Sequence, residues 1–272
     1  MKKGIERGIY ILPNLFTTAN LFFGFFAIVH AIQLTVRDQT HFKFCAIAIF
    51  MAGVFDMLDG RVARRTNTAS KFGMEYDSLC DLVSFGVAPA IVIYLWALQS
   101  FGKVGWIGLF LYVACGALRL ARFNLQSSNL EKSYFQGLPI PMAAMMLSGT
   151  ILIWEGGALN ESLFFKEDAK AFVFALVYLL AILMVSEIPY RSFKAHEFKR
   201  RVPFYFMLVA VLGLMLFAFN PWWTLYGLGC LYVMMGPIEY FILRKTPASM
   251  RAKVPKAGES IRLVHDQSKG QP

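Results

Sequence analysis

The sequence predicts an all-α, polytopic membrane bundle of about eight transmembrane helices. Three observations carry that prediction. Of the 272 residues, 57% are hydrophobic and 16% are charged, whereas soluble domains carry about 25% charged residues. The apolar residues come in long runs and not in periodic stripes; runs of about 18 or more with few charges read as membrane spans. The basic residues sit in short connections between those runs, where orientation signals belong. Helices are the expected spanning element, because backbone polar groups in lipid must be paired internally.

The first run, roughly 9–34, follows Lys2, Lys3 and Arg7 but is too long for a signal peptide and has no clear small-residue cleavage site. The others lie at roughly 42–59, 78–99, 104–123, 139–156, 170–190, 203–219 and 222–243. Polar residues intrude in the third and fourth. An even number of spans puts both termini on one side. With the N-terminus in the cytoplasm, only Arg37, Lys43, Lys103, Lys166 and Lys170 of the 27 basic residues face outward. That bias predicts a protein of the cytoplasmic membrane with both termini inside. Residues 246–272 lose the apolar character and hold Pro247, Pro255, Gly258 and Gly270 among polar residues. A membrane domain over 1–245 followed by a short polar cytoplasmic tail is expected.

The formal net charge is +10, but its distribution follows topology, so no nucleic-acid partner is expected. Cys45, Cys80, Cys115 and Cys230 are far apart, with no CxxC pair and no zinc spacing. They read as packing residues.

Ionisable residues inside membrane segments are costly and usually functional. Here they concentrate in FDMLDGRVARRTNTASKFGMEYDSLCDLVSFG. Asp56 and Asp59 are three apart, and Asp77 and Asp81 are four apart, so each pair shares one helix face. Two helices joined by a turn would present four carboxylates to one point. Such a cluster repels itself strongly in a low-dielectric site, and divalent cations would relieve the repulsion. Oxygen-only ligands favour Mg²⁺ or Mn²⁺ over zinc. The bland alternative is a set of interfacial carboxylates paired with Arg61, Arg64 and Arg65. One aspartate near a helix end fits that alternative; four at this spacing fit it poorly. Gly60 removes a side chain where a ligand could approach the backbone, and Gly73 could do the same at a helix start. Ala63 keeps the first face small, and Arg64 can fork onto phosphate oxygens.

The pattern Asp56-x2-Asp59-Gly60-x2-Ala63-Arg64-x8-Gly73-x3-Asp77-x3-Asp81 resembles the CDP-alcohol phosphatidyltransferase signature at every fixed position. The resemblance implies two divalent metals, a CDP-linked lipid as donor and CMP as leaving group. It implies that Asp56 and Asp77 bridge both metals and that Asp59 completes one. Asp81 would complete the other and take the acceptor's proton as catalytic base. It also implies a six-helix core with two helices added at the C-terminus, and a homodimer.

Other polar marks carry two readings each. Asn14, Thr17 and Asn20 recur every three residues on the first helix, with Gly24 four later. They serve either as inter-helix hydrogen bonds or, as in related enzymes, as contacts to the cytidine diphosphate. Ser70 matches a family nucleotide contact and equally suits a helix cap. Arg119 and Arg122 lie at a cytoplasmic helix end. They are either an anchor that complements the helix dipole or partners for an acceptor carboxylate or the lipid diphosphate. The four histidines are scattered, and no H-x-K-x4-D motif is present, which excludes the unrelated phospholipase D-like synthase type.

The segments RLARFN (119–124), FQGLPIP (135–141) and YRSFK (190–194) resemble the phosphatidylserine synthase branch of the family. Ile140 stands where a small residue is more usual. The branch implies CDP-diacylglycerol and L-serine as substrates, meeting at the cytoplasmic face among membrane lipids. The alternatives are the same transfer to glycerol 3-phosphate or inositol phosphate, or a cation transporter using the aspartates as its path. A transporter predicts acids spread over several spans.

Overall fold

Helices form where the apolar runs predict them. The computed structural model describes residues 2–37, 41–66, 70–127, 134–155, 166–191 and 204–245. α1 is Lys2–Val36, α2 is Lys43–Thr66 and α3 is Lys71–Asp81. A π-helical turn, Leu82–Val87, leads from α3 into α4, Ala88–Ile93. A second π-helical turn, Tyr94–Leu98, and a 3₁₀ turn, Gln99–Phe101, follow. The later helices are α5 (Gly102–Ser127), α6 (Ile140–Glu155), α7 (Lys166–Val185), α8 (Phe204–Phe219) and α9 (Pro221–Lys245). The third expected span therefore begins earlier than the apolar run implies, at Lys71, so that Asp77 and Asp81 share one helix. The segment 246–272, read as a tail, lies outside the described residues.

Two stretches, Pro13–Val36 and Lys71–Leu125, are long and apolar enough to cross a membrane by length and composition. Ile140–Glu155 and Lys170–Val185 are shorter apolar helices. The surface agrees with a lipid surrounding. On α8, Leu214, Met215, Leu216 and Phe217 are exposed in succession. A helix apolar on every side needs an apolar medium. This is a helical membrane protein.

Small residues draw the helices together, as expected where lipid supplies no hydrophobic drive for association. α1 packs chiefly along α2. It buries Ala27 and Ala31, and α2 buries Cys45, Ala46 and Ala52. α6 runs through the core, with Ala143, Ala144, Leu147, Ile151 and Leu152 all inaccessible, and touches α2, α7 and α9. The four cysteines are free thiols, buried except for the partly buried Cys230, in keeping with a packing role.

One element departs from the all-α expectation. β1, Tyr134–Gln136, pairs antiparallel with β2, Pro189–Arg191, in the register Tyr134↔Arg191, Phe135↔Tyr190 and Gln136↔Pro189. Strands of this length are too short to print a period in the sequence. Gly137 closes the ribbon with φ +77°, a conformation that favours glycine. Its N–H donates to the Ile188 carbonyl at 3.0 Å, and a Cβ here would run into the Met184 carbonyl. Tyr190 then fastens the ribbon to α9: its hydroxyl donates to the Val233 carbonyl at 3.2 Å.

Candidate metal centre

α2 and α3 present the acids as their helical spacing demands. Asp56 and Asp59 lie one turn apart near the C-terminal end of α2. The chain reverses, and Ser70 caps α3: its Oγ accepts the Gly73 N–H at 2.9 Å. Gly73 leaves this corner open, since a Cβ there would stand 3.1 Å from Ser70 Oγ and 3.6 Å from Asn14 Oδ1. From that start Asp77 and Asp81 fall on the face turned towards α2. One carboxylate oxygen each from Asp56, Asp59 and Asp77 lies within 4.8 Å of the others. Asp81 is not one of that group of three but lies within electrostatic reach of all of them.

α1 supplies the polar lining. The Thr17 hydroxyl stands 2.8 Å from Asp59 Oδ2 and 3.1 Å from the Pro13 carbonyl, and can give its one proton to either. Asn20 Nδ2 donates to Asp81 Oδ1 at 3.0 Å. Thr17 and Asn20, read as either helix glue or ligand contacts, thus touch the acids themselves. Asn14 faces the Ser70–Gly73 corner.

The arginine alternative finds little support. Arg61, Arg64 and Arg65 are exposed, whereas Asp59 and Asp81 are buried. Arg64 folds back over Gly60, its Nη1 3.4 Å from where a Cβ would be, and attracts Asp59 from the solvent side. Among the described residues the hydroxyl and amide donors to the acids are those of Thr17 and Asn20 instead. Asp77 Oδ1 is buried with no partner among the described residues, and so is Asn20 Oδ1. Buried polar atoms are nearly always paired, and facing carboxylates repel. Both facts fit a divalent cation, and the all-oxygen donor set suits Mg²⁺ or Mn²⁺.

The two arginines of α5 part company. Arg122 reaches the end of α7, where Nη1 donates to the Val185 carbonyl at 3.5 Å and Nη2 to the Ser186 carbonyl at 3.3 Å. Those are carbonyls a helix end leaves open. Arg119 is 9% exposed, lies within electrostatic reach of Asp81 and of Tyr232 on α9, and keeps its Nε without a partner among the described residues. Asn124, from the same RLARFN segment, ties α5 to α3 by donating to Ser78 Oγ at 3.0 Å and to Glu75 Oε2 at 3.2 Å.

Sequence reasoning missed Ser84, which bonds the Asn20 carbonyl, Tyr112, which bonds the Phe85 carbonyl, and Tyr232, within electrostatic reach of Arg119. Ser84 and Tyr112 read as ordinary residues of apolar runs. Tyr232 lay beyond the reach of the resemblance.

Comparison with known proteins agrees with the geometry. The CDP-alcohol phosphatidyltransferase family matches residues 10–188. A CDP-diacylglycerol–serine O-phosphatidyltransferase of Helicobacter pylori is 34% identical over 235 residues, covering 86% of this chain and 93% of the relative. One from Saccharomyces cerevisiae is 37% identical over 168 residues, 58% of this chain and 60% of the relative. One from Methanocaldococcus jannaschii is 38% identical over 146 residues, 53% and 62%. The matched region holds all four aspartates, α1 from residue 10 onward and the α5 arginines, and on that extent of likeness the chain belongs to the CDP-alcohol phosphatidyltransferase family.

Proposed function

We propose that the chain is an enzyme that transfers the phosphatidyl group of CDP-diacylglycerol to the hydroxyl of L-serine, giving phosphatidylserine and CMP. The observation that carries this reading is the convergence of Asp56, Asp59 and Asp77 around an unpartnered Asp77 oxygen. The relatives described above, named for this transfer to serine, support the choice of acceptor.

Asp56, Asp59, Asp77 and Asp81 would hold two divalent cations, Mg²⁺ or Mn²⁺. Bound there, they would offset the carboxylate charge and supply electrostatic stabilisation to the diphosphate. Asp81 accepts the serine proton as the hydroxyl oxygen attacks the phosphatidyl phosphorus. The bond from that phosphorus to the diphosphate bridging oxygen breaks, and CMP leaves with the electron pair. Asn20 orients Asp81, and Thr17 orients Asp59. Asn14, Gly60, Arg64, Ser70 and Gly73 border the mouth of the site and receive the cytidine diphosphate. Arg119, buried and with a donor to spare, takes the acceptor's carboxylate. Arg122 is better suited to fixing α7, since its donors already meet carbonyls.

The finer architecture belongs to the same proposal. All eight apolar runs cross the membrane, six as catalytic core and two added at the C-terminus. Residues 1–245 form the membrane domain and 246–272 a cytoplasmic tail. Both termini and the site face the cytoplasm, where a water-soluble acceptor meets a donor whose acyl chains stay in lipid. The active unit is a homodimer.

The test is an acceptor panel. Membranes holding the protein receive labelled CDP-diacylglycerol with serine, glycerol 3-phosphate or inositol phosphate. Serine-dependent CMP release is expected; release with another alcohol alone would reassign the acceptor. Asp81→Asn is expected to abolish turnover while nucleotide binding persists, and retained phosphatidyl transfer would remove Asp81 as base.

A further inference from the structure

Asp81 is the last residue of α3, and the next turn is not α-helical. Over Leu82–Val87 the helix widens, and the Ala88 N–H reaches back to the Val83 carbonyl. Such turns cluster at functional sites. This one has a local cause in the sequence. Pro89 stands where its N–H would meet the Phe85 carbonyl in an α-helix, and proline has no N–H and crowds that carbonyl. The Phe85 carbonyl is served from another helix instead: the Tyr112 hydroxyl on α5 donates to it at 2.9 Å. Tyr112 is fully buried.

The same turn is pinned from the other side by α1. Ser84 Oγ donates to the Asn20 carbonyl at 3.0 Å, and it is the Asn20 side chain that holds Asp81 Oδ1. The approach is possible because Gly24 has no side chain: a Cβ there would collide with Ser84 Oγ and stand 2.6 Å from Ser84 Cα. Asp81 is thus bracketed. Asn20 holds its carboxylate, and the turn it begins is clamped between Ser84 on Asn20 and Phe85 on Tyr112.

We propose that Tyr112 and Ser84 are positioning residues that hold the π-helical turn, and through it the Asp81 carboxylate, against Asp56, Asp59 and Asp77. The inference rests on the metal-binding role assigned to the acids above. Neither residue touches substrate in this account. Losing either clamp frees the turn, whose α-helical bonding Pro89 has already removed, to shift and carries Asp81 away from its partners.

The experiment uses the full chain in detergent and two readouts. Mn²⁺ binding is titrated by the electron paramagnetic resonance of free Mn²⁺, and serine-dependent CMP release gives kcat and KM. Tyr178→Phe is the control, because its hydroxyl also donates to a helix carbonyl, that of Val104 at 3.2 Å, at the end of α5 away from Arg119. Tyr112→Phe and Ser84→Ala are expected to weaken Mn²⁺ binding and lower kcat by about tenfold to a hundredfold, the scale of a small misplacement of a reacting group. KM for serine should stay within about twofold, and Tyr178→Phe should change neither readout. Unchanged Mn²⁺ affinity in both clamp variants, or an equal loss in Tyr178→Phe, would overturn the proposal. If the parent protein releases no CMP with serine, the acceptor assignment fails, while the Mn²⁺ titration still decides the fate of the clamp.

Discussion

Glu155 and the aspartate cluster are both carboxylates set among apolar helices, and the chain treats them in opposite ways. Glu155 ends α6 and faces the start of α2. Its Oε1 accepts the Phe42 N–H at 2.9 Å and its Oε2 accepts the Lys43 N–H at 2.8 Å. Those are donors a helix start leaves open, and the helix dipole favours a negative charge there. Each oxygen has a protein partner. At the other end of α2, Asp56, Asp59 and Asp77 turn oxygens towards one another, and Asp77 Oδ1 has no partner among the described residues. The difference separates fold from function. A carboxylate saturated by backbone donors fastens two helices together. A group of carboxylates that face each other is incomplete until a cation arrives.

The largest effect should come from the incomplete end. Asp77→Asn is expected to lower serine-dependent CMP release by at least about a thousandfold, or about 4 kcal/mol in the barrier. It should not harm the fold, because the change removes one of several mutually repelling charges. The matching ligand experiment is chelation. EDTA should abolish turnover of the parent, and Mg²⁺ or Mn²⁺ should restore turnover and raise the melting temperature by mass action. In Asp77→Asn that cation-dependent rise should shrink or vanish. Full activity after exhaustive chelation would break the comparison at its root.

The next effect belongs to the saturated end and should show in stability alone. Glu155→Ala leaves the Phe42 and Lys43 N–H groups without their carboxylate and should cost about 0.5–2 kcal/mol, the range for losing a helix cap. Its kcat should stay at the parent value, since Glu155 lies outside the candidate site. A drop in kcat with no change in melting temperature would show that the two ends are coupled, and the division of labour drawn here would fail.

How much of this could be read in the sequence follows from the range of each interaction. The aspartates were legible because helix periodicity fixes which neighbours share a face, and α2 and α3 obey it. The apolar runs gave the helices for the same local reason. Ser70 as a cap was legible too, though only as one of two readings. What escaped was set by distant partners. Tyr112 serves a carbonyl on the preceding helical stretch, and nothing beside Tyr112 in the chain announces it. Pro89, in the middle of the 78–99 run, was the available clue to the widened turn, since proline cannot continue the α-helical bonding there. The ribbon pairs residues 134–136 with 189–191, across two intervening helices. Two of the segments singled out by resemblance, FQGLPIP and YRSFK, meet in that ribbon, which gives them a physical reason to occur together. The separate roles of Arg119 and Arg122 also needed the structure, because only packing shows which guanidinium has its donors filled.

The smallest effect tests the boundary between the two kinds of carboxylate. Thr17 gives Asp59 a protein donor at 2.8 Å, so Asp59 is the acid in the cluster that most resembles Glu155. Thr17→Val keeps the shape and removes the donor. If the bond only tunes a ligand that a cation completes, turnover should fall by about fivefold to tenfold, near the 1 kcal/mol of an ordinary hydrogen bond. The cation concentration for half-maximal activity should rise with it, and the melting temperature of the chelated protein should hardly move. If the bond instead fastens α1 to α2 as Glu155 fastens α6 to α2, the chelated protein should melt lower and the cation requirement should stay fixed. Measuring half-maximal Mn²⁺ and the EDTA melting temperature on the same preparation separates the two, and the first outcome is expected because an ionised carboxylate has lone pairs enough to accept the Thr17 hydroxyl and still ligate a cation.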